Sequence, residues 1–204
     1  MAVHVQTRYT LEEYFELEYN SATRHEYING KIVPMAYSAK PHGKIISNLH
    51  GTLYPLLRNS DLEFYMGDRM LYVPDCNKIY YPDMVIIPQN VEIYNYKGKM
   101  IADLHPIVLV EVLSDSTEDN DRQSKWNCYR KIDSLQQYVL ISQKIKEVEI
   151  YNRQPEPNNW QYSVYETADS IMEIATCKIQ LKDIYHKVVL PEPQAYSDEI
   201  SEIS

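Results

Sequence analysis

The stretch HPIVLVEVLSDST, residues 105–117, contains seven consecutive residues, 107–113, that are all aliphatic except Glu111. A short apolar run of this kind is typical of a buried central strand. Alternate side chains of a strand share a face, so Glu111 would share its face with Leu109 and Leu113. An unpaired carboxylate is costly to bury in such surroundings. The partner of Glu111 must therefore come from elsewhere in the fold.

A second carboxylate stands in an equally apolar setting upstream. Asp83 follows Pro82 and precedes the apolar residues 84–87, which read as another strand. If the two strands are neighbours, Asp83 and Glu111 meet, and two like charges at close range do not both stay ionised without a cation. The pair therefore predicts a shared proton, a bound divalent metal or a basic partner.

The segment DRQSKWNCY, residues 121–129, supplies a basic candidate. Asp121, Lys125 and Tyr129 are spaced i, i+4 and i+8, which stacks them on one face of a helix predicted at residues 117–132. The short loop LSDST joins the strand to this helix, so the face can look back over the end of the strand. Lys125 is thus a candidate to reach the carboxylates, and an exposed pair with Asp121 is the alternative.

The remaining pattern predicts a mixed sheet flanked by helices. A capping box starts a helix at residues 10–19, and Asn29-Gly30 marks the turn of a hairpin. A second helix is predicted at residues 41–58, and residues 90–105 read as an irregular surface excursion. Further strands are predicted at residues 62–73, 83–87, 136–142, 147–152 and 160–165. Strands interrupted by helices and finished by hairpins indicate an α/β or α+β domain.

Length and composition are those of one ordinary domain. The chain has 204 residues, of which 44% are hydrophobic and 24% charged, and this length allows a sizeable core. We expect one domain at residues 1–190 and an acidic, flexible tail at residues 191–204. No apolar run approaches the roughly 20 residues that a membrane span needs, so we expect a cytoplasmic protein.

Charge, cysteines and histidines restrict the function classes. The net charge of −9 argues against a protein that coats nucleic acid through bulk electrostatics. Cys76, Cys128 and Cys177 are far apart without metal-ligand spacing, and we expect them to be reduced. His42 lacks metal-ligand spacing too, and we expect it to be solvated at the start of its helix. The bases available to a nucleic-acid surface form no long run: Lys40, Lys44, Arg122, Lys125, Arg130 and Lys131.

These residues, taken in order, resemble a known family. The set that carries the likeness is Tyr81-Pro82-Asp83, Glu111-Val112-Leu113-Ser114, Asp121, Lys125 and Tyr129. It is similar to the Uma2 (DUF820) family, a group with the restriction-endonuclease-like PD-(D/E)xK fold. Residues 24–35, RHEYINGKIVPM, and residues 132–142, IDSLQQYVLIS, also resemble segments of that family. The likeness covers roughly residues 8–190 and implies a mixed β-sheet flanked by helices.

The resemblance implies a metal site. Asp83 and Glu111 would be the acidic ligands, and the backbone carbonyl of Val112 would complete the protein's share of an Mg²⁺ or Mn²⁺ site. Leu113 stands where the motif name has its lysine. In this family the lysine is supplied from the following helix, which here means Lys125.

The resemblance also assigns supporting roles. Glu26 matches the glutamate of the N-terminal family segment and would ligand a second metal or orient a water. Pairing of Glu26 with Arg24 or Lys31 is the alternative. Asp121 and Tyr129 would support the ligands, and Tyr129 fits a core position equally well.

The implied function is an Mg²⁺-dependent endonuclease that hydrolyses phosphodiester bonds in DNA. We expect a homodimer, because cutting both strands of a duplex needs two sites. Two alternatives remain: a catalytically inactive nuclease-fold binding or assembly module, and a metal-dependent hydrolase of a small phosphoester. An open positive cleft would favour the nuclease, and a closed negative one the alternatives.

Overall fold

A six-stranded mixed sheet, here called the central sheet, organises the fold. The structure is a computed structural model that describes residues 8–35 and 37–192. The strands of the central sheet are β3 (Leu62–Met66), β6 (Met84–Pro88), β9 (Val108–Leu113), β10 (Gln137–Ser142), β11 (Val148–Arg153) and β12 (Trp160–Tyr165). Their order is β12-β11-β10-β9-β6-β3, in which β9 and β10 are parallel and the other pairs antiparallel.

Strand β9 is buried along its whole length because both faces of the central sheet are covered. Val110 and its alternate neighbours pack on one face with the apolar side of helix α2 (Lys40–Leu57). Leu109 and Leu113 pack on the other face with Tyr129. The predicted alternation along the strand is confirmed, as is a helix near residues 41–58.

A second six-stranded sheet, here called the flanking sheet, lies beside the first helix. Its strands are β1 (His25–Ile28), β2 (Lys31–Pro34), β4 (Leu71–Val73), β5 (Lys78–Tyr80), β7 (Ile93–Tyr96) and β8 (Met100–Asp103), in the order β2-β1-β5-β4-β8-β7. The β1–β2 turn is the predicted Asn29-Gly30 pair, with φ of 52° and 85°, as a two-residue hairpin turn of this kind requires. Strand β5 was not predicted, because its three residues are too few to show a strand pattern.

Helix α1 (Leu11–Tyr19) begins as predicted at a capping box. Thr10 accepts a hydrogen bond from the Glu13 backbone N–H, and the Glu13 carboxylate accepts one from the Thr10 backbone N–H. Tyr14 and Phe15 of this helix share a core cluster with Tyr27 of β1. The helix is thereby fixed against the flanking sheet.

The prediction of an irregular excursion at residues 90–105 is wrong. This segment forms the hairpin β7–β8, which turns at Lys97 and Gly98 with φ of 50° and 70°. Tyr96 and Ala102 are buried, while much of the rest of the hairpin is exposed. The apolar/polar alternation of the two strands is broken, because Ile93 and Ile101 are exposed while the polar Asp103 is buried.

The C-terminal part of the chain contains elements that the sequence did not predict. They are the hairpin β13 (Ile171–Ile174) and β14 (Cys177–Gln180), followed by helix α4 (Leu181–Ile184). Met172, Ile179 and Leu181 are buried in the core that also contains α2. Of the predicted acidic tail at residues 191–204, all but the first two positions lie outside the described residues.

The helix predicted at residues 117–132 differs in type and length. A π-helix, Asn120–Lys125, continues into the short α-helix α3 (Trp126–Tyr129). We call residues 120–129 the site helix. π-Helical turns are uncommon and recur at functional sites.

The expectation that all three cysteines are reduced is also wrong. Cys76, in the 3₁₀ turn Pro74–Cys76, forms a disulfide with Cys128 of α3, and Cys177 is free and buried. The two partners are 52 residues apart in sequence, and this separation carries no pairing signal. The disulfide links the site helix to the β4–β5 connection.

No helix in the described part of the chain is both long and apolar enough to cross a membrane.

Candidate active site

Strands β6 and β9 bring the two carboxylates together. They are antiparallel neighbours in which Met84 lies opposite Val110. Asp83 precedes Met84 and Glu111 follows Val110. Extending the pairing by one residue therefore places Asp83 opposite Glu111. The predicted adjacency of the two strands is confirmed.

Asp83 is held by one of its two oxygens. The Val112 backbone N–H donates a hydrogen bond of 2.7 Å to Oδ2, and His42 Nε2 lies 2.9 Å from the same oxygen. Oδ1 makes no hydrogen bond within residues 8–35 and 37–192. The Asp83 side chain keeps 22% of its surface exposed, which leaves it accessible from the cleft.

Glu111 is buried, with 3% of its surface exposed. The Tyr129 hydroxyl donates a hydrogen bond of 3.0 Å to Oε1, and Lys125 Nζ lies 3.0 Å from the same oxygen. Burial raises the pKa of the Glu111 carboxyl well above its usual value; Lys125 opposes this, and the charges of Asp121 and Asp83 add to it. Glu111 is thus the carboxyl of this site that most readily keeps a proton in the absence of a metal.

Lys125 is the basic partner. It is 5% exposed, and its Nζ lies 2.9 Å from Asp121 Oδ1, 3.0 Å from Glu111 Oε1 and 3.7 Å from Glu26 Oε1. Burial alone would lower its pKa, but the surrounding carboxylates outweigh that effect and raise the pKa well above its usual value. The amine therefore stays charged. The alternative of an exposed pair with Asp121 is wrong, because both side chains are buried.

Glu26 reaches the cluster from β1 of the flanking sheet. Its ion pair in the described part of the chain is with Lys125, whereas Arg24, one alternative partner, binds Asp68. Burial raises the pKa of the Glu26 carboxyl, and the positive charge of Lys125 opposes this rise. Glu26 is therefore part of the same charge cluster as Glu111.

One helix contributes three residues to the cluster. Asp121, Lys125 and Tyr129 are four residues apart, a spacing that keeps them close to one face of the site helix. Arg122 points elsewhere, because its guanidinium binds the Glu149 carboxylate through two hydrogen bonds of 2.6 and 2.7 Å. The sequence suggested that Arg122 is available to bind nucleic acid. The structure instead pairs its guanidinium with Glu149.

An open cleft of about 640 Å³ exposes these groups. A single lysine, Lys125, lines this cleft. Four carboxylates line it as well: Glu26, Asp83, Glu111 and Asp115. The cleft is thus open, as a nuclease would require, but acidic. A phosphodiester approaching this surface would be repelled unless a cation entered with it.

The donor set suits a hard divalent cation. In the described residues no three His, Cys, Asp or Glu side chains are grouped as a metal cage. The predicted set needs two carboxylates and the Val112 carbonyl, which matches the few protein oxygens that Mg²⁺ takes while keeping waters. Asp83 Oδ1 and Glu111 Oε2 make no hydrogen bond in the described part of the chain, so both are available as ligand atoms. The residues therefore fit the ion.

Two residues of the cleft were missed by sequence reasoning. His42 is 12% exposed at its side chain and contacts Asp83, so the expectation of a solvated histidine is wrong. Gln143 follows β10, lines the cleft and buries an amide oxygen that lacks a partner among the described residues. The parallel pairing of β9 and β10 could have indicated Gln143, because it brings the carboxyl ends of both strands to one edge.

Residues 11–181 match the family Uma2, described as "Putative restriction endonuclease". This chain belongs to the Uma2 family. Two relatives from Synechocystis sp. are the uncharacterized proteins sll1609 and slr1290. The first is 29% identical over 71% of this chain and 80% of its own length, and the second is 28% identical over 78% of this chain and 82% of its own length.

A solved structure has the same fold as this Uma2 chain. It is a DUF820 protein from Anabaena variabilis, described as a "putative nuclease", with a TM-score of 0.68 and 18% identity. The match covers 86% of this chain and 97% of the other. The fold of the Uma2 chain is therefore restriction-endonuclease-like, as the resemblance implied.

Proposed function

We propose that this Uma2 protein is an Mg²⁺-dependent endonuclease that hydrolyses phosphodiester bonds in DNA. One observation carries the proposal: Asp83 and Glu111 meet at an open cleft, and Lys125 Nζ lies 3.0 Å from Glu111. Two carboxylates and a buried amine at one cleft are the groups that metal-assisted phosphodiester hydrolysis needs. Membership of a family with an endonuclease description supports the same reading.

Asp83, Glu111 and the Val112 carbonyl would hold the cation. A bound Mg²⁺ supplies Lewis-acid chemistry, which stabilises negative charge on a phosphoryl group under attack. His42 and the Val112 N–H fix Asp83 through Oδ2, so Oδ1 would be the ligand atom. Tyr129 and Lys125 likewise hold Glu111 through Oε1.

Lys125 would act on the attacking water and on the developing charge. Its raised pKa keeps the amine protonated, so it donates hydrogen bonds and does not serve as the base. In the proposed reaction it orients the water and offsets negative charge on the phosphate. Glu26, whose Oε1 lies 3.7 Å from the Lys125 amine, would position this amine or a water.

Plasmid cleavage tests the proposal. Supercoiled plasmid incubated with the purified protein and Mg²⁺ or Mn²⁺ should be nicked, and Asp83→Asn or Glu111→Gln should lower the rate by at least a hundredfold. The matched control is Asp169→Asn, an exposed carboxylate paired with Lys182, which should cut as the wild type does. Equal cleavage by all variants would identify a contaminating nuclease and contradict the proposal.

The oligomeric state follows from the substrate. We expect a homodimer, because cleaving both strands of a duplex needs two sites. Light scattering of the 24.0 kDa chain should give about twice that mass. A monomer that nicks a single strand would contradict this expectation but leave the reaction intact.

The openness of the cleft favours a polymer over a small phosphoester, because small ligands are usually enclosed. A binding or assembly module without activity is the second candidate, and the acidic lining of the cleft favours it if no cation binds there. Absence of nicking under every divalent cation, with DNA binding retained, would select this candidate.

A further inference from the structure

A second concavity, here called the lysine pocket, lies beside the cleft. Lys40 and Lys44 of α2 and Lys187, which follows α4, line a space of about 600 Å³. The two segments are tied together by Asn48, whose side-chain amide donates hydrogen bonds of 2.8 Å to the carbonyls of Ile184 and of residue 186. The three lysines are therefore presented from a fixed frame.

The charges of the lysine pocket are not neutralised within the described part of the chain. No carboxylate there lies within 4.0 Å of the three amines, whereas Lys125 and Lys144 each have at least two such partners. Three lysines therefore contribute side chains to one concavity. An anion bound there would be attracted by the positive charge of each.

Gly43 supplies a separate observation. It lines the lysine pocket inside helix α2, where glycine is less favourable than alanine. A Cβ at this position would meet no atom within 4 Å, so packing within the protein gives no reason for the glycine. Its bare backbone does leave room for a ligand to approach the helix closely.

The same turn of α2 separates the lysine pocket from the cleft. Ala39 and His42 line the cleft, while Lys40, Gly43 and Lys44 line the lysine pocket. A helix with its side chains is about 10 Å wide, so a strand that passes over this turn of α2 could contact both sites.

We propose that the lysine pocket binds a backbone phosphate of the nucleic-acid strand whose scissile phosphodiester lies at Asp83 and Glu111. The proposal deepens the proposed function and rests on it for the position of the scissile bond. The local positive charge of the pocket compensates for the acidic cleft and for the net charge of −9. Recognition of this kind is independent of base sequence.

DNA binding measured over a range of salt concentrations tests the proposal. The full chain carrying Glu111→Gln is titrated with a fluorescent 20-nucleotide DNA in a chelator, so that neither cleavage nor a metal contributes. Lys44→Ala and Lys187→Gly should each weaken binding about three- to tenfold and lower the salt slope by about 0.7 to 0.9. Lys99→Ala, an exposed lysine on the β7–β8 hairpin, should change neither quantity.

Two variants separate binding from folding. Lys187 has a φ of +54°, which glycine adopts more readily, so Lys187→Gly removes the charge without a loss of melting temperature. Gly43→Ala should raise the melting temperature by about 2 °C and still weaken binding. Gly51→Ala is its control, because a Cβ there also meets nothing within 4 Å, and it should raise the melting temperature without affecting binding.

Unchanged affinity and salt slope in Lys44→Ala and Lys187→Gly would overturn the proposal. Its failure is distinguishable from failure of the proposed function. If the wild-type chain nicks plasmid and the lysine variants bind DNA normally, the phosphate-binding role of the lysine pocket is excluded and the nuclease proposal stands. A chain whose lysine variants lose affinity, but which never nicks, would keep the pocket and exclude the nuclease.

Discussion

Lys125 sets the electrostatics of the site at the scale of single residues. Among the described residues it is the one cation paired with Glu26, Glu111 and Asp121, and all four side chains are largely buried. Removal of one partner from a buried ion cluster leaves uncompensated charge, which costs more than the cluster contributes as a whole. The folded state therefore depends on this amine, whatever its part in the reaction.

Replacement of Lys125 by methionine should lower the free energy of unfolding at neutral pH by about 3 to 5 kcal/mol. Addition of Glu111→Gln to the same chain should recover part of the loss, because the double variant has fewer buried carboxylates without a counter-charge. Urea unfolding of the wild type, the single variant and the double variant measures both effects. A loss below about 1 kcal/mol for Lys125→Met would mean that water already screens the cluster.

At the scale of elements, the site depends on one strand pairing and one helix. The β6–β9 register sets Asp83 against Glu111, and the site helix brings Lys125 and Tyr129 over them. The disulfide between Cys76 and Cys128 ties this helix to the β4–β5 connection. Because Cys128 directly precedes Tyr129, the covalent link acts next to a residue that holds Glu111.

Reduction of the disulfide should destabilise the fold by about 2 to 4 kcal/mol, since it releases a constraint on the unfolded chain. Urea unfolding with and without a reducing agent measures the difference. Cys76→Ser should abolish the response to the reducing agent, whereas Cys177→Ser, at a free cysteine, should leave it unchanged. Identical unfolding curves for the wild type in both buffers would show that the bond contributes nothing.

The elements also show what sequence could and could not predict. Glu111 could be predicted as a site residue, because burying an unpaired carboxylate in an apolar strand costs free energy. The four-residue spacing from Asp121 identified Lys125. By contrast, His42 and Asp83 are 41 residues apart and Cys76 and Cys128 are 52 residues apart. Contacts of that range depend on how the sheets and helices pack, and no local pattern encodes them.

The prediction for residues 90–105, which form the β7–β8 hairpin, failed for a different reason. Its turn uses Lys97 and Gly98 at positive φ, and lysine is an uncommon residue in that conformation. Its exposed isoleucines, Ile93 and Ile101, and its buried Asp103 also break the alternation that identifies strands. The π-helix was equally hidden, because the spacing of Asp121, Lys125 and Tyr129 fits an α-helix almost as well.

At the scale of the whole molecule, charge is divided between two neighbouring sites. The cleft is acidic, and the lysine pocket on the other side of the same helical turn is basic. A protein with a net charge of −9 would bind a polyanion poorly without such a division. The acidic half requires a cation before it can approach a phosphate, so the proposed activity depends on cation binding at Asp83 and Glu111.

Calorimetric titration with Mn²⁺ measures this binding. The wild-type chain should bind the ion at a site that Asp83→Asn and Glu111→Gln each weaken at least tenfold, while Asp169→Asn leaves the affinity unchanged. Binding should also weaken as the pH falls, because the raised pKa of Glu111 makes protons compete with the ion. Mn²⁺ affinity that is the same in all four proteins would contradict the account and leave the two carboxylates as structural groups.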